Sequence, residues 1–386
     1  MIPYGRQYID GLDIQAVVEV LQSDWLTTGP KVTEFEQAVA DYVGVHYGVA
    51  VSSGTAALHC AMFALAIGPG DEVIVPPMTF AATANCVLFQ GGKPVFADVE
   101  PETLLIDPDQ VEAKISDRTK AIMAVDYTGQ PCDYGRLREI ADRHGLALVA
   151  DGCHALGAEY QGRRVGSLAD MTVFSFHPVK HIATGEGGMI VTDNPEFSRR
   201  LKLFRNHGIS TDFRQREEQG SWFYEMTDLG YNYRLSDIQC ALGVSQLKKL
   251  PGFLERRREI ARRYDEAFGE LESVSPLKVN PEVRHAYHLY VIKWQEKGKG
   301  KGKPRSRTEV FQALRQGGLG VNVHYIPVHL HPFYRQRFGT GPGLCPAAEG
   351  AYEQILSLPL FPGMTDQEVR EALEICTRIF QSQTSG

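Results

Sequence analysis

Asp151 and Lys180 are the two residues around which the rest of the sequence can be read. Both lie within the stretch from 147 to 188. Asp151 stands at the end of an apolar run, Leu146 to Ala150, while a second run, Met171 to Phe176, carries Ser175 and leads through His177 to Lys180. Short apolar runs bounded by polar or glycine-rich segments read as buried strands. In an open parallel sheet, ligands collect at the carboxyl ends of the strands. An acid at one strand end and an amine just past another can therefore face one site. Lysine forms Schiff bases with carbonyl cofactors, and a pyridoxal phosphate site pairs that lysine with an aspartate at the pyridinium nitrogen. The spacing thus points to pyridoxal 5'-phosphate, with Lys180 as the attaching amine and Asp151 as the partner of the ring nitrogen.

A phosphate needs its own cradle, and the stretch from 47 to 67 offers one. Tyr47 to Val51 reads as a buried strand, Ser52 to Thr55 as a tight turn, and Ala56 to Ile67 as a helix. Gly54 lets backbone approach a ligand closely, Thr55 can cap the helix, and the free N–H groups at a helix start suit a phosphate. Ser and Thr cap helices everywhere, so SSGT gains weight only from sharing a chain with Asp151 and Lys180. Phe80, just after a strand in PPMTFAATAN, can stack on a flat ring. His154, three residues after Asp151, can cover the other ring face, although a lone histidine is more often a satisfied polar group. Ser175 can add a hydroxyl to the phosphate. Trp25, in the loop from Ser23 to Pro30, reads equally as core or as a ligand wall.

The elements that must position these groups alternate along the chain. An arm with Tyr4 and Arg6 precedes an amphipathic stretch from Leu12 to Leu21 and a helix from Thr33 to Tyr42. Strands then alternate with helices: Glu72 to Val75, Ala81 to Gln90, Pro94 to Val99, Pro108 to Ile115, Lys120 to Asp126, Tyr134 to His144 and Leu146 to Ala150. That rhythm implies right-handed βαβ units, an α/β fold with a mostly parallel sheet. Glycines 185, 187 and 188 turn into a strand from Met189 to Thr192, followed by a helix from Pro195 to Arg205. A further helix runs from Asp237 to about Leu250, and Pro251 is expected to begin another. This divides the chain into residues 1–248, an arm and large cofactor domain, and 249–386, a smaller α+β domain. The smaller domain holds a strand from Ala286 to Trp294, a helix from Arg307 to Gln316, the stretch Val321 to Ile326 and a helix from Asp366 to Phe380.

The chain of 386 residues, 43% apolar, can bury a core of that size. Its 47 acidic and 40 basic residues leave a net charge of −7, so nothing suggests nucleic acid as a partner. Lysines interleaved with glycine from 297 to 303 read as a flexible loop. Seven cysteines without CxxC spacing speak against both a disulfide framework and a metal site. No stretch has the length and apolarity of a bilayer span and no signal-peptide core is visible, which leads to the expectation of a cytoplasmic protein.

SSGTAAL, PPMTFAATAN, DGCHALGA, FSFHPVKHIATGEGG, RNHG and GYNYRLSDIQCALG occur in the order found in the sugar-nucleotide aminotransferases of the fold-type-I, aspartate aminotransferase-like enzymes. The chain resembles that family over nearly its whole length. IPYGRQYI, WLTTGPKVTEFE, VDYTGQ and CHALGAEY narrow the resemblance to the transaminases of pseudaminic-acid biosynthesis. The resemblance implies transfer of the amino group of L-glutamate to C4 of UDP-2-acetamido-2,6-dideoxy-β-L-arabino-hexos-4-ulose, giving UDP-4-amino-4,6-dideoxy-N-acetyl-β-L-altrosamine. It carries over Lys180, Asp151, Phe80, His154, Gly54, Thr55 and Ser175 to the cofactor. It implies further that Asn232 reaches the phosphate of a neighbouring subunit, making a homodimer the working unit. Substrate contacts are implied at Tyr4, at Asp24, Trp25, Leu26 and Thr27, and at Asn322, Val323, His324 and Tyr325. Cys153 departs from the serine or alanine common at that position, and the 297–303 loop is longer than usual. Other nucleotide ketosugars, dTDP- or GDP-linked and aminated at C3 or C4, stay open. A sugar dehydratase on the same scaffold would typically carry a histidine in place of the lysine, so Lys180 speaks against it, and the complete set of site residues speaks against a non-catalytic cofactor-binding protein.

Overall fold

The computed structural model describes residues 1–211, 216–217, 220–295 and 305–381. The lysine-glycine loop at 297–303 lies outside them. Thirteen strands are named in chain order: β1 Tyr47–Val51, β2 Glu72–Val75, β3 Lys93–Phe96, β4 Thr119–Val125, β5 Ala147–Asp151, β6 Glu159–Tyr160, β7 Arg163–Arg164, β8 Met171–Ser175, β9 Gly188–Thr192, β10 Val274–Pro276, β11 Val283–Arg284, β12 Tyr290–Trp294 and β13 Ile355–Leu358.

Seven strands form the main sheet in the order β1-β9-β8-β5-β4-β2-β3. Pairings among β3, β2, β4, β5 and β8 are parallel, and β9 runs antiparallel to both β8 and β1. The tight Gly185–Gly188 turn explains the reversal, because it returns the chain beside β8 without a crossover helix. Successive side chains of a strand point to opposite faces, and the two cores follow that alternation. Val49, Val51, Val173 and Ile190 pack with the helices Gly54–Ala64, Ala82–Phe89 and Tyr134–His144. Ala50, Phe174, Met189 and Val191 pack on the helix Pro30–Val43.

The C-terminal part is an α+β unit. Its antiparallel sheet β10-β12-β13 is covered by the helices Arg307–Gln316 and Asp366–Gln381 around Tyr264, Ile292, Leu314, Leu356 and Phe380. Ile2 joins this core through a bridge to Leu319, so the first residues of the chain dock on its last third.

One expectation fails at Pro251. Instead of starting a new helix, it lies inside a single helix from Asp237 to Phe268. A proline inside a helix removes one hydrogen bond and costs about 3 kcal/mol. Here the flanking turns are anchored on both sides: Cys240, Val244, Leu247, Leu250 and Leu254 sit in one core, and Ile260, Ala261, Tyr264 and Phe268 in another. Burial of each apolar side chain is worth about 1.5–3 kcal/mol, which outweighs the proline. The small sheet β11-β6-β7 and strands β10 and β13 carry too few residues to show a period of their own.

Candidate active site

The carboxyl ends of β5 and β8 open into a cavity of about 710 Å³, a volume suited to a small-molecule ligand. Tyr4, Gly54, Thr55, Phe80, Asp151, His154, Ser175, Lys180, Asn322, Val323, His324 and Tyr325 all line it. Residues from the two ends of the chain therefore meet residues of the main sheet there.

Asp151 is the last residue of β5 and is only 6% exposed. Its Oδ2 accepts a 2.7 Å hydrogen bond from Thr83 Oγ1, which lies 2.7 Å from Thr79 Oγ1, and its Oδ1 accepts from the Cys153 N–H at 3.3 Å. These donors hold the carboxylate in one orientation. The neighbouring Asp126, fully buried, accepts from the Cys132 N–H and the Tyr134 hydroxyl, each at 2.9 Å, and burial pushes its carboxyl up to about 7. Lys180 lies half-buried across the cavity, and burial, with the positive charge of Arg257 adding to it, pushes its amine down. A lowered lysine releases its proton more readily, as a nucleophilic or basic amine must.

The cradle forms as expected in place but not in detail. The helix begins at Gly54, and the cap is Ser53, whose hydroxyl accepts from the Ala56 N–H at 3.1 Å, rather than Thr55. A Cβ on Gly54 would stand 2.9 Å from Ser175 Cβ and 3.3 Å from Cys153 Sγ. Only bare backbone fits, which leaves the helix start and the Ser175 hydroxyl facing one anion-sized position. His154, buried, points its Nε2 at the Tyr325 hydroxyl 3.2 Å away, and its Nδ1 has no partner among the described residues. Burial holds its imidazole neutral. Phe80 stands 60% exposed at the cavity mouth with its ring 6.2 Å from that of Tyr325. An acid, an amine, a phosphate-sized cradle and aromatic walls in one cavity fit pyridoxal phosphate.

The DegT/DnrJ/EryC1/StrS aminotransferase family profile matches residues 7–377. The chain belongs to this family. The spore coat polysaccharide biosynthesis protein SpsC of Bacillus subtilis is 43% identical over 375 residues, covering 97% of this chain and 95% of SpsC. Among solved structures, Spr1654 of Streptococcus pneumoniae, described as a candidate sugar aminotransferase and solved in its PMP form, superposes with a TM-score of 0.92 at 32% identity, covering 99% of both chains. PseC of Helicobacter pylori, an aminotransferase involved in the biosynthesis of pseudaminic acid, superposes with a TM-score of 0.90 at 34% identity, covering 98% of this chain and 99% of PseC. The protein is thus a pyridoxal phosphate-dependent sugar aminotransferase of fold type I.

Within this DegT/DnrJ/EryC1/StrS aminotransferase, five of the expected residues lie away from the chain's own cavity. Asp24, Leu26 and Thr27 are exposed, Trp25 is half-buried, and Asn232 is exposed; none lines the cavity. They share one region of surface, since Thr27 bridges Ser236, the Asp237 N–H donates to the Leu26 carbonyl, and Asn232 bridges Asn206. Of the cavity residues that escape the sequence reading, Thr83 and His288 bear on the chemistry. Thr83 supports Asp151, and its signal is the pair of threonines four apart in TFAAT. His288 stands 3.4 Å from Lys180 Nζ, and its signal is the pair of histidines in HAYH just ahead of β12. Among the described residues no cluster of side chains could hold a metal ion, and no helix is long and apolar enough to cross a membrane.

Proposed function

We propose that this aminotransferase moves the amino group of L-glutamate to C4 of a UDP-linked 4-keto-6-deoxy-N-acetylhexosamine, the reaction of the pseudaminic-acid pathway. One observation carries this reading: Lys180 and the Thr83-braced Asp151 face the same cavity, whose lining also includes Tyr4 and Asn322–Tyr325. The 34% identity to PseC over 98% of the chain supports the choice of sugar. When bound, pyridoxal phosphate supplies an aldehyde that links covalently to an amine and a ring that absorbs the electrons of a carbanion.

The protein's own residues do the rest. The Asp151 carboxylate would keep a proton on the ring nitrogen, and Thr83 keeps the carboxylate aimed. Gly54, Thr55 and Ser175 would hold the phosphate, while Phe80 and His154 would flank the ring. Lys180 Nζ would hold the cofactor between turnovers and, once free, would take the α-proton of the donor at its lone pair and give that same proton back within the half-reaction, ending as unprotonated as it began. Glutamate leaves as 2-oxoglutarate before the sugar enters, so the kinetics should be ping-pong.

The working unit in this reading is a cytoplasmic homodimer. The surface shared by Asp24–Thr27 and Asn232 would serve the cavity of the second copy, with Asn232 at its phosphate. Trp222, Phe223, Met226 and Leu229, all strongly exposed beside it, would be covered in the same contact.

Half-reactions of the loaded, aminated enzyme with a panel of UDP-, dTDP- and GDP-linked 3- and 4-ketosugars test the reading. A clear preference for the UDP-linked 4-keto-N-acetylhexosamine is expected. Equal or faster turnover of a dTDP-, GDP- or 3-keto sugar would overturn it.

A further inference from the structure

Arg257 is fully buried near the middle of the long helix, yet among the described residues no carboxylate pairs with it. Its Nη1 donates to three backbone carbonyls, those of Tyr287 at 3.1 Å, His288 at 3.3 Å and Leu360 at 3.0 Å, and its Nε and Nη2 have no partner. Burying a cation this way is costly, so what it holds calls for a reason.

It holds a strained segment. Tyr287 has a φ of 48°, a left-handed backbone that a bulky residue seldom adopts. Three further ties fix the same segment: the Ala286 N–H donates to the Gly129 carbonyl at 2.9 Å, the Leu289 N–H to the Thr128 carbonyl at 3.2 Å, and His181 Nε2 to the Ala286 carbonyl at 3.1 Å. The outcome is a buried imidazole at 288 whose Nε2 faces Lys180 Nζ at 3.4 Å, while its Nδ1 has no partner among the described residues.

We propose that His288 is the dock for the Lys180 amine whenever that amine is free of the cofactor, and that Arg257 is the residue that positions His288 for this task. The inference rests on the reading of Lys180 as the attaching lysine. For Nε2 to accept from an amine or ammonium, the imidazole must be neutral with its hydrogen on Nδ1. Its surroundings enforce that state: burial first, then the positive charges of Lys180 and Arg257 and the neighbouring rings of His154 and His181. The other polar groups that bear on Lys180 are Cys153 and Asp151, together with the imidazoles of His154, His181 and His324. A free lysine without a dock would have to be caught again before it could move the proton. A docked one stays at the cavity wall throughout the half of the cycle in which it is unattached.

The test compares wild type with His288→Phe, His288→Gln, Arg257→Met and Arg257→Lys. In cofactor-free protein, the rate at which acetic anhydride modifies Lys180, read by peptide mass spectrometry, should rise about tenfold in His288→Phe, the loss expected of one hydrogen bond to a charged group. In the loaded protein, single-turnover conversion by L-glutamate should slow about tenfold, with half-saturation by glutamate within about twofold of wild type. Glutamine, which keeps an acceptor, should recover part of both effects. Arg257→Met should repeat the phenylalanine result, and Arg257→Lys, the variant less apt to misfold, should lie between. Unchanged labelling and unchanged single-turnover rate in His288→Phe would overturn the dock. A full effect in His288→Phe with none in either Arg257 variant would overturn the positioning role. Borohydride trapping of the cofactor separates the levels: failure to find it on Lys180 in wild type would sink the underlying reading, whereas trapping at Lys180 with normal His288→Phe behaviour would sink the dock alone.

Discussion

The floor of the cavity and its C-terminal wall reach the same space by different means. Asp151 and Ser175 are the last residues of β5 and β8, and Gly54 opens the helix that follows β1. Each is aimed by the regular element that it ends or begins. His288 and Asn322–Tyr325 come from irregular backbone held by side chains of other elements: Arg257 behind His288, and Ser357 Oγ 2.8 Å from His324 Nδ1. The floor is as rigid as the sheet, while the wall can change its residues without disturbing a strand. A scaffold of this kind can keep one cofactor chemistry and vary the sugar it accepts.

If that division is right, substitutions in the floor cripple the half-reaction with glutamate, and those at Asn322–Tyr325 spare it, His288 being the wall residue that touches Lys180 and so affects both. Lys180→Ala should lower turnover by about a thousandfold or more and abolish borohydride trapping of the cofactor; appreciable activity in this variant would break the mechanism. Asp151→Asn should bind cofactor but lose about a hundredfold in the glutamate half-reaction, measured by single-turnover spectroscopy, because the ring nitrogen is no longer held protonated. Thr83→Val should lose about tenfold in the same assay, a hydrogen bond to a charged group being worth about 1.5–3 kcal/mol. Tyr325→Phe should leave the glutamate half-reaction within about twofold and weaken half-saturation by the sugar by about fivefold, near one neutral hydrogen bond. Were Tyr325→Phe to slow the glutamate step as much as Thr83→Val does, the floor and wall would not be separable.

The smallest effect concerns stability. Burial raises the Asp126 carboxyl from 3.8 to about 7, so the stability it allows is present below pH 4 and lost as pH rises through 7. Asp126→Asn should therefore gain on wild type between pH 5 and pH 8, by on the order of 1 kcal/mol, as read from thermal melts. The buried imidazoles act in the opposite sense. His285 is pushed down to about 3, and His59 and His324 to about 4. Stability they provide above pH 6.5 should fall as pH drops from there toward 4, in wild type and variant alike.

The same division governs how much the sequence reveals. Asp151, Lys180, Gly54 and Ser175 are legible because apolar runs and a glycine-rich turn mark strand ends, and strand ends make sites. Thr83 and His288 are not, since neither lies on an element whose period reveals its direction; a threonine in an alanine-rich helix and a histidine before a strand each have commoner uses. Asn322–Tyr325 enters only through the family resemblance, as do Asp24–Thr27 and Asn232. Pro251 misleads because proline reports a local cost, whereas the helix through it is decided by two distant cores. The antiparallel β9 is concealed by the βαβ rhythm around it.

The unbroken rod from 237 to 268 has a bearing on protein engineering. Chimaeras that trade sugar selectivity between relatives are tempting to splice at a proline, where a loop would be assumed. Here such a junction would cut through a beam set into two masonries at once, with the guanidinium of Arg257 a turn and a half beyond the cut. Crossovers placed before Asp237 or after Phe268 would keep that beam from a single parent and should yield folded hybrids more often.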